Sequence, residues 1–318
     1  MAISKINGVA MSSIAKISGK AKGDIAKFQG VQLPAASSGF DFKTDDLEIW
    51  WRGDDVDSNY YQVNNGSGVT IENQATVEGF SEPWTATDPN YGDHRIRNGT
   101  SADFTTLTIN SASVGVIQLD GVNDWIISRQ LQVGASNANW QFSYPAAPST
   151  AVVQKNAWYD ITQSGGGGFS VEMWWRSDGS INTSDNLFGT ANECFRFRFD
   201  SSRQLTGVGM RLGSSTWYTG WTASNNTWYQ TVFTFDPDAS SNQMKVYING
   251  TLEAQRTGTS SVSSSTWIRN TIYIGAYNSS GSEAMPMYVG LFRKYKSPMT
   301  AAEVSDNYDA DKATFGLT

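Results

Sequence analysis

FSVEMWWRS (residues 169–177) is the stretch on which the fold turns. It is short, rich in aromatic residues and followed by Ser, Asp and Gly, which is how a strand ends rather than how a helix continues. Side chains alternate along a strand, so the Trp174-Trp175 pair puts one ring on each face of a sheet. The inward ring belongs to a core, and the outward ring is left for packing or a partner. Downstream the same pattern recurs: LFGT (187–190), CFRFRFD (194–200), GVGMRLG (207–213), WYQTVFTFD (228–236), MKVYING (244–250), TIYIGAY (271–277) and MYVGLFRKYK (287–296) are separated by Gly, Asn, Asp and Ser turns. That spacing suits an antiparallel sandwich. CFRFRFD alternates strictly, with Phe195, Phe197 and Phe199 on one face and Arg196, Arg198 and Asp200 on the other, the mark of a strand with one buried face. Asn249-Gly250 is a hairpin turn. One short helix closes the chain: Thr300-Ala-Ala-Glu303 is a capping box, with Pro298 just upstream.

Upstream, DLEIWWRGDDVDS (46–58) reads as a strand that runs into an acidic turn. Leu47, Ile49 and Trp51 share one face, and Glu48, Trp50 and Arg52 the other. Residues 59–115 read as loop-rich. VIQLDGVNDWIIS (116–128) reads as strand, Asp-Gly turn, strand, and the GGGG of 165–168 as a flexible spacer.

The chain opens differently. Residues 3–34 carry three copies of an eleven-residue unit. Ile3, Ile14 and Ile25 align; so do Lys5, Lys16 and Lys27, then Ile6, Ile17 and Phe28, then Gly8, Gly19 and Gly30. An eleven-residue period also fits a right-handed helical supercoil, but a helix tolerates a Gly in every unit poorly. Asn7-Gly8 favours strand–turn–strand. Such units are too small to own a core and should be stable only when docked on something or combined. Residues 1–34 therefore form one segment, PAASSG marks a linker over 35–40, and 41–318 form the body.

Composition narrows the function. With one cysteine, Cys194, and one histidine, His94, the chain holds neither an internal disulfide nor a Cys/His zinc site. No apolar run reaches the roughly 18 residues a membrane span needs, and lysines interrupt any secretory leader. The net charge is -7. The opening segment is basic and the body strongly acidic, which argues against nucleic acid as a partner.

FSVEMWWRS, WYQTVFTFDPDASSNQMKVYINGTLEA and YVGLFRKYKSPMTAAEVSDNY together resemble the laminin-G-like jelly-roll domains of the concanavalin A-like lectin/glucanase superfamily. LEIWWRGDDVD and VIQLDGVNDWI resemble their first strands, so the likeness spans about 45–311. It implies a mainly β fold: an antiparallel two-sheet jelly-roll sandwich, here with a short N-terminal β-rich repeat and a short C-terminal helix. The opening repeat resembles the SKINGVA-type N-termini of virion proteins from tailed bacteriophages.

Glucan-hydrolysing relatives of this fold use two carboxylates facing each other across the sugar. Here Glu172 has no acidic partner on its strand, Asp120 and Asp124 flank a turn, and His94 sits in the loop-like NYGDHRIRN. No catalytic residue is assigned and the chain is expected not to be an enzyme. Two acidic turns, with Asp54, Asp55 and Asp57 in one and Asp120 and Asp124 in the other, are candidate calcium ligands. Turn-capping by the same aspartates is the simpler reading, and the acid that the family often carries in its last long strand is missing from YVGLFRKY. Trp217, Tyr218 and Trp221, in SSTWYTGWTAS, are candidate sugar-stacking rings. Ile3, Lys5, Ile6, Ile14, Lys16, Ile17, Ile25, Lys27 and Phe28 are the candidate docking residues.

The expectation is a structural virion protein, assembled in the bacterial cytoplasm. It would be anchored to other capsid or tail proteins by residues 1–34 and display a lectin-like body with weak glycan adhesion. The alternative is a receptor-binding adhesin that recognises, or less readily cleaves, host-surface carbohydrate. Calcium and homo-oligomerisation are left open.

Overall fold

The computed structural model describes residues 47–53, 56–63, 66–71, 94–97, 103–128, 168–190, 195–209, 216–257, 272–277, 281–295 and 297–318, with Lys43 and six two-residue strands among the first 34 residues. The chain divides into two compact units, Met1–Thr44 and Asp45–Thr318.

In the first unit each repeat is a minimal hairpin. β1 (Lys5–Ile6) pairs with β2 (Val9–Ala10), β3 (Lys16–Ile17) with β4 (Lys20–Ala21), and β5 (Lys27–Phe28) with β6 (Val31–Gln32), all antiparallel. The registers correspond: Ile6 faces Val9, Ile17 faces Lys20 and Phe28 faces Val31. The paired strands agree with the strand–turn–strand reading, while the residues between them lie outside the described residues. Ile3, Ile14 and Ile25, like the linker 35–40, lie outside the described residues.

The second unit is a sandwich of two antiparallel sheets. Among the described residues one sheet has eight strands, in the order β11 (Phe104–Ile109), β12 (Ala112–Asp120), β23 (Pro286–Tyr295), β14 (Phe169–Ser177), β19 (Trp228–Phe235), β20 (Met244–Ile248) and β21 (Thr251–Arg256). The eighth strand, β7 (Leu47–Arg52), shares one edge of the long β23 with β12: β12 pairs with Pro286–Val289 and β7 with Leu291–Tyr295. The other sheet has nine, in the order β18 (Trp217–Thr222), β17 (Gln204–Gly209), β16 (Phe195–Phe199), β15 (Asn186–Thr190), β22 (Ile272–Ile274), β13 (Trp125–Ser128), β10 (His94–Arg97), β9 (Gly66–Ile71) and β8 (Val56–Val63).

The core between the sheets is built by alternation. Phe169, Val171, Met173 and Trp175 of β14, Met287, Val289 and Phe292 of β23, and Phe197 and Phe199 of β16 all enter one cluster. Trp51 stacks on Phe292 at 5.5 Å. Asn249 and Gly250 both take positive φ, 49° and 77°, as a two-residue hairpin of this kind needs.

Four expectations change. VIQLDGVNDWIIS is two strands but no hairpin: β12 and β13 belong to different sheets, so residues 121–124 turn a corner of the sandwich. The span 59–115, read as loop-rich, forms β8, β9, β10, β11 and the start of β12 in its described residues, while 72–93 and 98–102 lie outside the described residues. Its polar strands near the sheet edges take backbone hydrogen bonds from a neighbour without showing apolar alternation. His94 opens β10, opposite Ile71, rather than sitting in a loop. Leu47 does not share a face with Trp51. A register shift where β7 meets Lys294 and Tyr295 flips it to the outer face, against Val232, Tyr247 and Tyr295.

The eight-stranded sheet is covered on its outer face as well. α1 (Ala301–Asp311) starts at the expected capping box: Glu303 N–H donates to Thr300 Oγ1 at 3.2 Å and Thr300 N–H to Glu303 Oε2 at 2.8 Å. Val304 and Met299 pack on Val232, Tyr247 and Tyr295. Beyond the helix, Phe315 stacks on Trp174 with centroids 4.5 Å apart, and Tyr308 stacks on the same ring at 5.8 Å. The outward ring of the Trp174-Trp175 pair is thus spent on the chain's own tail, fully buried. Gly290 permits this approach, because a Cβ there would overlap the Phe315 ring.

Candidate functional site

The three candidate sugar-stacking rings part company on β18. Alternation turns Trp217 inward, 6% exposed and edge-on to Phe197 at 6.4 Å. Trp221 is partly buried against the same core, perpendicular to Tyr229 at 4.8 Å. Trp217 offers no free face, and Trp221 is partly covered. Tyr218, between them in sequence, points to the opposite side and is 61% exposed. Of the three candidate rings Tyr218 is the exposed one, on a strand at one end of the nine-stranded sheet.

That sheet carries a polar ledge on its outer face beside Tyr218. The register places Tyr218 opposite Thr206, Thr206 opposite Arg198, and Arg198 opposite Asn186, one row across β18, β17, β16 and β15. Arg196 and Arg198 stand here because Phe197 and Phe199 face the core. The segment after β22 closes over the row. Arg196 lies over the Tyr277 ring, 4.2 Å from its centroid, and its Nη1 donates to Glu283 Oε2 at 2.9 Å. Asn186 Nδ2 donates to the same oxygen at 2.7 Å, and Asn186 N–H to the Glu283 carbonyl at 3.1 Å. Arg198 Nη1 lies 3.6 Å from Glu283 Oε1, outside hydrogen-bond range. Arg196 is buried, whereas the Arg198 and Glu283 side chains are 30% and 29% exposed. Glu283 takes φ 54°, a left-handed backbone that costs a non-glycine residue roughly 1–3 kcal/mol and that its neighbours hold in place.

The sequence singled out CFRFRFD as an alternating strand without seeing Arg196 and Arg198 as a site. Glu283 gave no signal, since it is 85 residues or more from its arginines and only the fold brings them together.

Glu172 is fully buried on the outer face of the eight-stranded sheet, beneath α1. Gln230 Nε2 donates to its Oε1 at 2.7 Å, Asn307 Nδ2 to its Oε2 at 2.6 Å, and Arg293 Nη1 approaches Oε2 at 3.3 Å. Arg293 also donates to Asp311 Oδ2 at 2.6 Å. Desolvation alone would lower the Arg293 pKa, but the charge of Glu172, with Tyr295 and Asp311, outweighs it and holds the guanidinium charged. This network fastens the C-terminal helix to the sheet, and its carboxylate has no route to a substrate.

Asp120 and Asp124 behave as turn residues. Asp120 Oδ1 accepts from the amides of Val122 and Asn123 at 2.7 and 3.0 Å, and Asp124 Oδ1 accepts from the Asp120 amide at 2.7 Å. Burial first, then the neighbouring Asp120 carboxylate, pushes Asp124 up to about 8. Asp120 is lowered: burial opposes the shift, but the hydrogen bond with Asp124 and the turn amides outweigh it. The two carboxyls thus favour holding one proton between them, and their bonds to the turn amides brace the corner between the sheets. Asp57 lies in β8 opposite Thr70 rather than in a turn, and Asp54 and Asp55 fall outside the described residues. Among the described residues no group of three or more His, Cys, Asp or Glu side chains gathers as a metal site. Of the docking residues, Lys5, Ile6, Lys16, Ile17, Lys27 and Phe28 occupy the first strands of the three hairpins.

Residues 160–305 match the family model described as the concanavalin A-like lectin/glucanases superfamily. No curated protein matches the chain. Among solved structures, Trypanosoma rangeli sialidase with 2,3-difluorosialic acid as the covalent intermediate is 14% identical, with a TM-score of 0.50 over 86% of this chain and 34% of that one. The same sialidase with 2,3-difluoro-KDN is 14% identical, with a TM-score of 0.50 over 96% of this chain and 38% of that one. Domain 4 of AbnA, an arabinanase of Geobacillus stearothermophilus, solved with arabinotriose, is 15% identical, with a TM-score of 0.44 over 84% of this chain and all of that one. The chain spans about a third of the length of the sialidase chains, and the likeness is one of fold.

Proposed function

We propose that this chain is a surface protein of a bacteriophage particle. Its N-terminal hairpins dock it to other virion proteins, and its sandwich presents a non-catalytic carbohydrate-binding face. The observation that carries the docking half is the set of three hairpins at eleven-residue intervals, each with two residues per strand. An isolated two-stranded hairpin is marginal in water even when longer, so a run of minimal ones gains stability from a surface or from other copies. The likeness of SKINGVA to virion N-termini supplies the particle. The non-catalytic reading is supported by Glu172, whose carboxylate is enclosed by Gln230, Asn307 and Arg293. Deleting residues 1–34 should abolish incorporation into particles while leaving the body folded. Full occupancy by the truncated chain would defeat the docking half.

A second reading, in which carbohydrate recognition is the main task, is favoured by the exposed Tyr218 beside the Arg198–Glu283 pair. A glycan array probed with the full chain, with and without calcium, tests it. Binding that needs calcium would move the site away from the ledge and toward the aspartates. Many copies on one particle would make weak single-site binding effective.

A further inference from the structure

We infer that the ledge on the nine-stranded sheet selects a carboxylate-bearing saccharide, with Arg198 reading the carboxylate and Tyr218 supporting the sugar ring. The inference rests on the carbohydrate reading above and names the ligand class of that same site. Two guanidinium groups share one carboxylate there. Arg196 is committed, stacked over Tyr277 and hydrogen-bonded to Glu283 Oε2, which Asn186 also holds. Arg198 meets only the remaining oxygen, at 3.6 Å, and donates no hydrogen bond among the described residues. Among the described residues the other acids close by hold hydrogen bonds of their own. Asp200 Oδ1 accepts the amides of Ser202 and Gln204. Asp185 is buried, accepts the Asn182 amide at 2.7 Å, and burial pushes it up to about 6. Among the described residues Arg198 is therefore the guanidinium of this row with donors left for a ligand.

A guanidinium presents its donors as a planar fork that matches a carboxylate with two parallel hydrogen bonds, whereas a neutral hydroxyl engages them singly. A half-exposed contact such as Arg198–Glu283 is weak and exchanges readily for a better acceptor. Tyr218 lies two strands away in the same row, about 10 Å by the spacing of adjacent strands. Its exposed ring can stack on the apolar face of a sugar while the carboxylate reaches Arg198. Thr206 between them is buried, with its hydroxyl donated to the Arg198 carbonyl at 3.0 Å, so it makes no demand on a ligand.

The test uses the full chain on an array of uronate-bearing oligosaccharides, each paired with its carboxyl-reduced neutral form, plus sulfated neutral oligosaccharides. At least one uronate member should bind about tenfold more tightly than its reduced form, the size of one charge-assisted hydrogen-bond pair. Arg198→Gln should erase that preference and flatten its salt dependence without shifting the melting temperature. Tyr218→Ala should weaken acidic and neutral members alike. Equal binding of acidic and reduced members, or a preference that survives Arg198→Gln, overturns the inference and leaves the carbohydrate reading standing. Stronger binding of sulfated than of uronate members also overturns it, by showing that charge alone is read. Failure to bind any member overturns both.

Discussion

The two sheets of the sandwich share one core but treat their outer faces in opposite ways. The eight-stranded sheet is closed: Trp174, Trp228, Tyr288 and Leu291 lie under Phe315 and Tyr308, and Glu172 and Arg293 are locked beneath α1. The nine-stranded sheet leaves Tyr218 in water and Arg198 half in it. A sheet roofed by its own chain is committed to stability, and the open one is where a ligand can be met. Charged groups show the same division. Glu172 is saturated by donors, while Arg198 has donors to spare.

Changes on the closed face should have the largest effects. Arg293→Met leaves Glu172 buried without its cation and should cost about 3–5 kcal/mol in urea denaturation, whereas the double change Glu172→Gln with Arg293→Met should recover much of the loss. Trp174→Ala empties the slot beneath Phe315 and should cost about 3–5 kcal/mol. If either single variant kept wild-type stability, the tail would not be a structural roof.

The corner between the sheets should respond to pH. Asp124 holds its proton more tightly folded than unfolded, since its folded value is about 8. Its contribution is therefore full below about pH 4 and is lost as the pH rises toward 8. Asp120, lowered on folding, works the other way, and its contribution is lost as the pH falls through the acid range. Asp124→Asn keeps an acceptor for the Asp120 amide and removes the charge. Its advantage over wild type should grow from pH 4 to pH 8, reaching on the order of 2 kcal/mol by thermal melts. Parallel melting curves across that range would rule out the shared proton.

Smaller effects sharpen the contrast. Thr300→Ala removes the cap of α1 and should cost about 1 kcal/mol. Tyr218→Ala, on the open face, should change stability by less than about 0.5 kcal/mol while weakening the saccharide binding proposed above. A large loss of stability there would make the ring structural and close the comparison.

Local chemistry was legible wherever one residue type answers one local demand. Thr300 and Glu303 cap a helix, Asn249-Gly250 turns a hairpin, and the arginine–phenylalanine alternation of β16 divides a buried from an open face. Other features escaped because their cause lies far along the chain. Asp120-Gly121 has the composition of a hairpin turn, yet the strands it joins are claimed by different partners, Met287 and Pro286 on one side and Tyr273 and Ile274 on the other. Trp217 looked like part of a platform because Gly, Ser and Thr surround it, but its parity on β18 is fixed by pairing with β17. Leu47 changed face through one shift of register. Glu283 met its arginines only when the segment after β22 folded across β16.

The order of hydrogen-bonding groups and apolar side chains along the chain was enough to set many of the elements, from the paired strands of the opening repeat to the alternating strands after residue 169 and the capped helix, though not the polar strands of 59–115. Alternation and capping act between residues a few positions apart, so they are readable in the sequence wherever a strand has one apolar face. Assembly decided which strand joined which sheet, which face of each sheet the tail would cover, and which charges would meet. Those outcomes depend on long-range register and packing, where a shift of one residue turns a core ring into a surface ring and a surface arginine into a buried one.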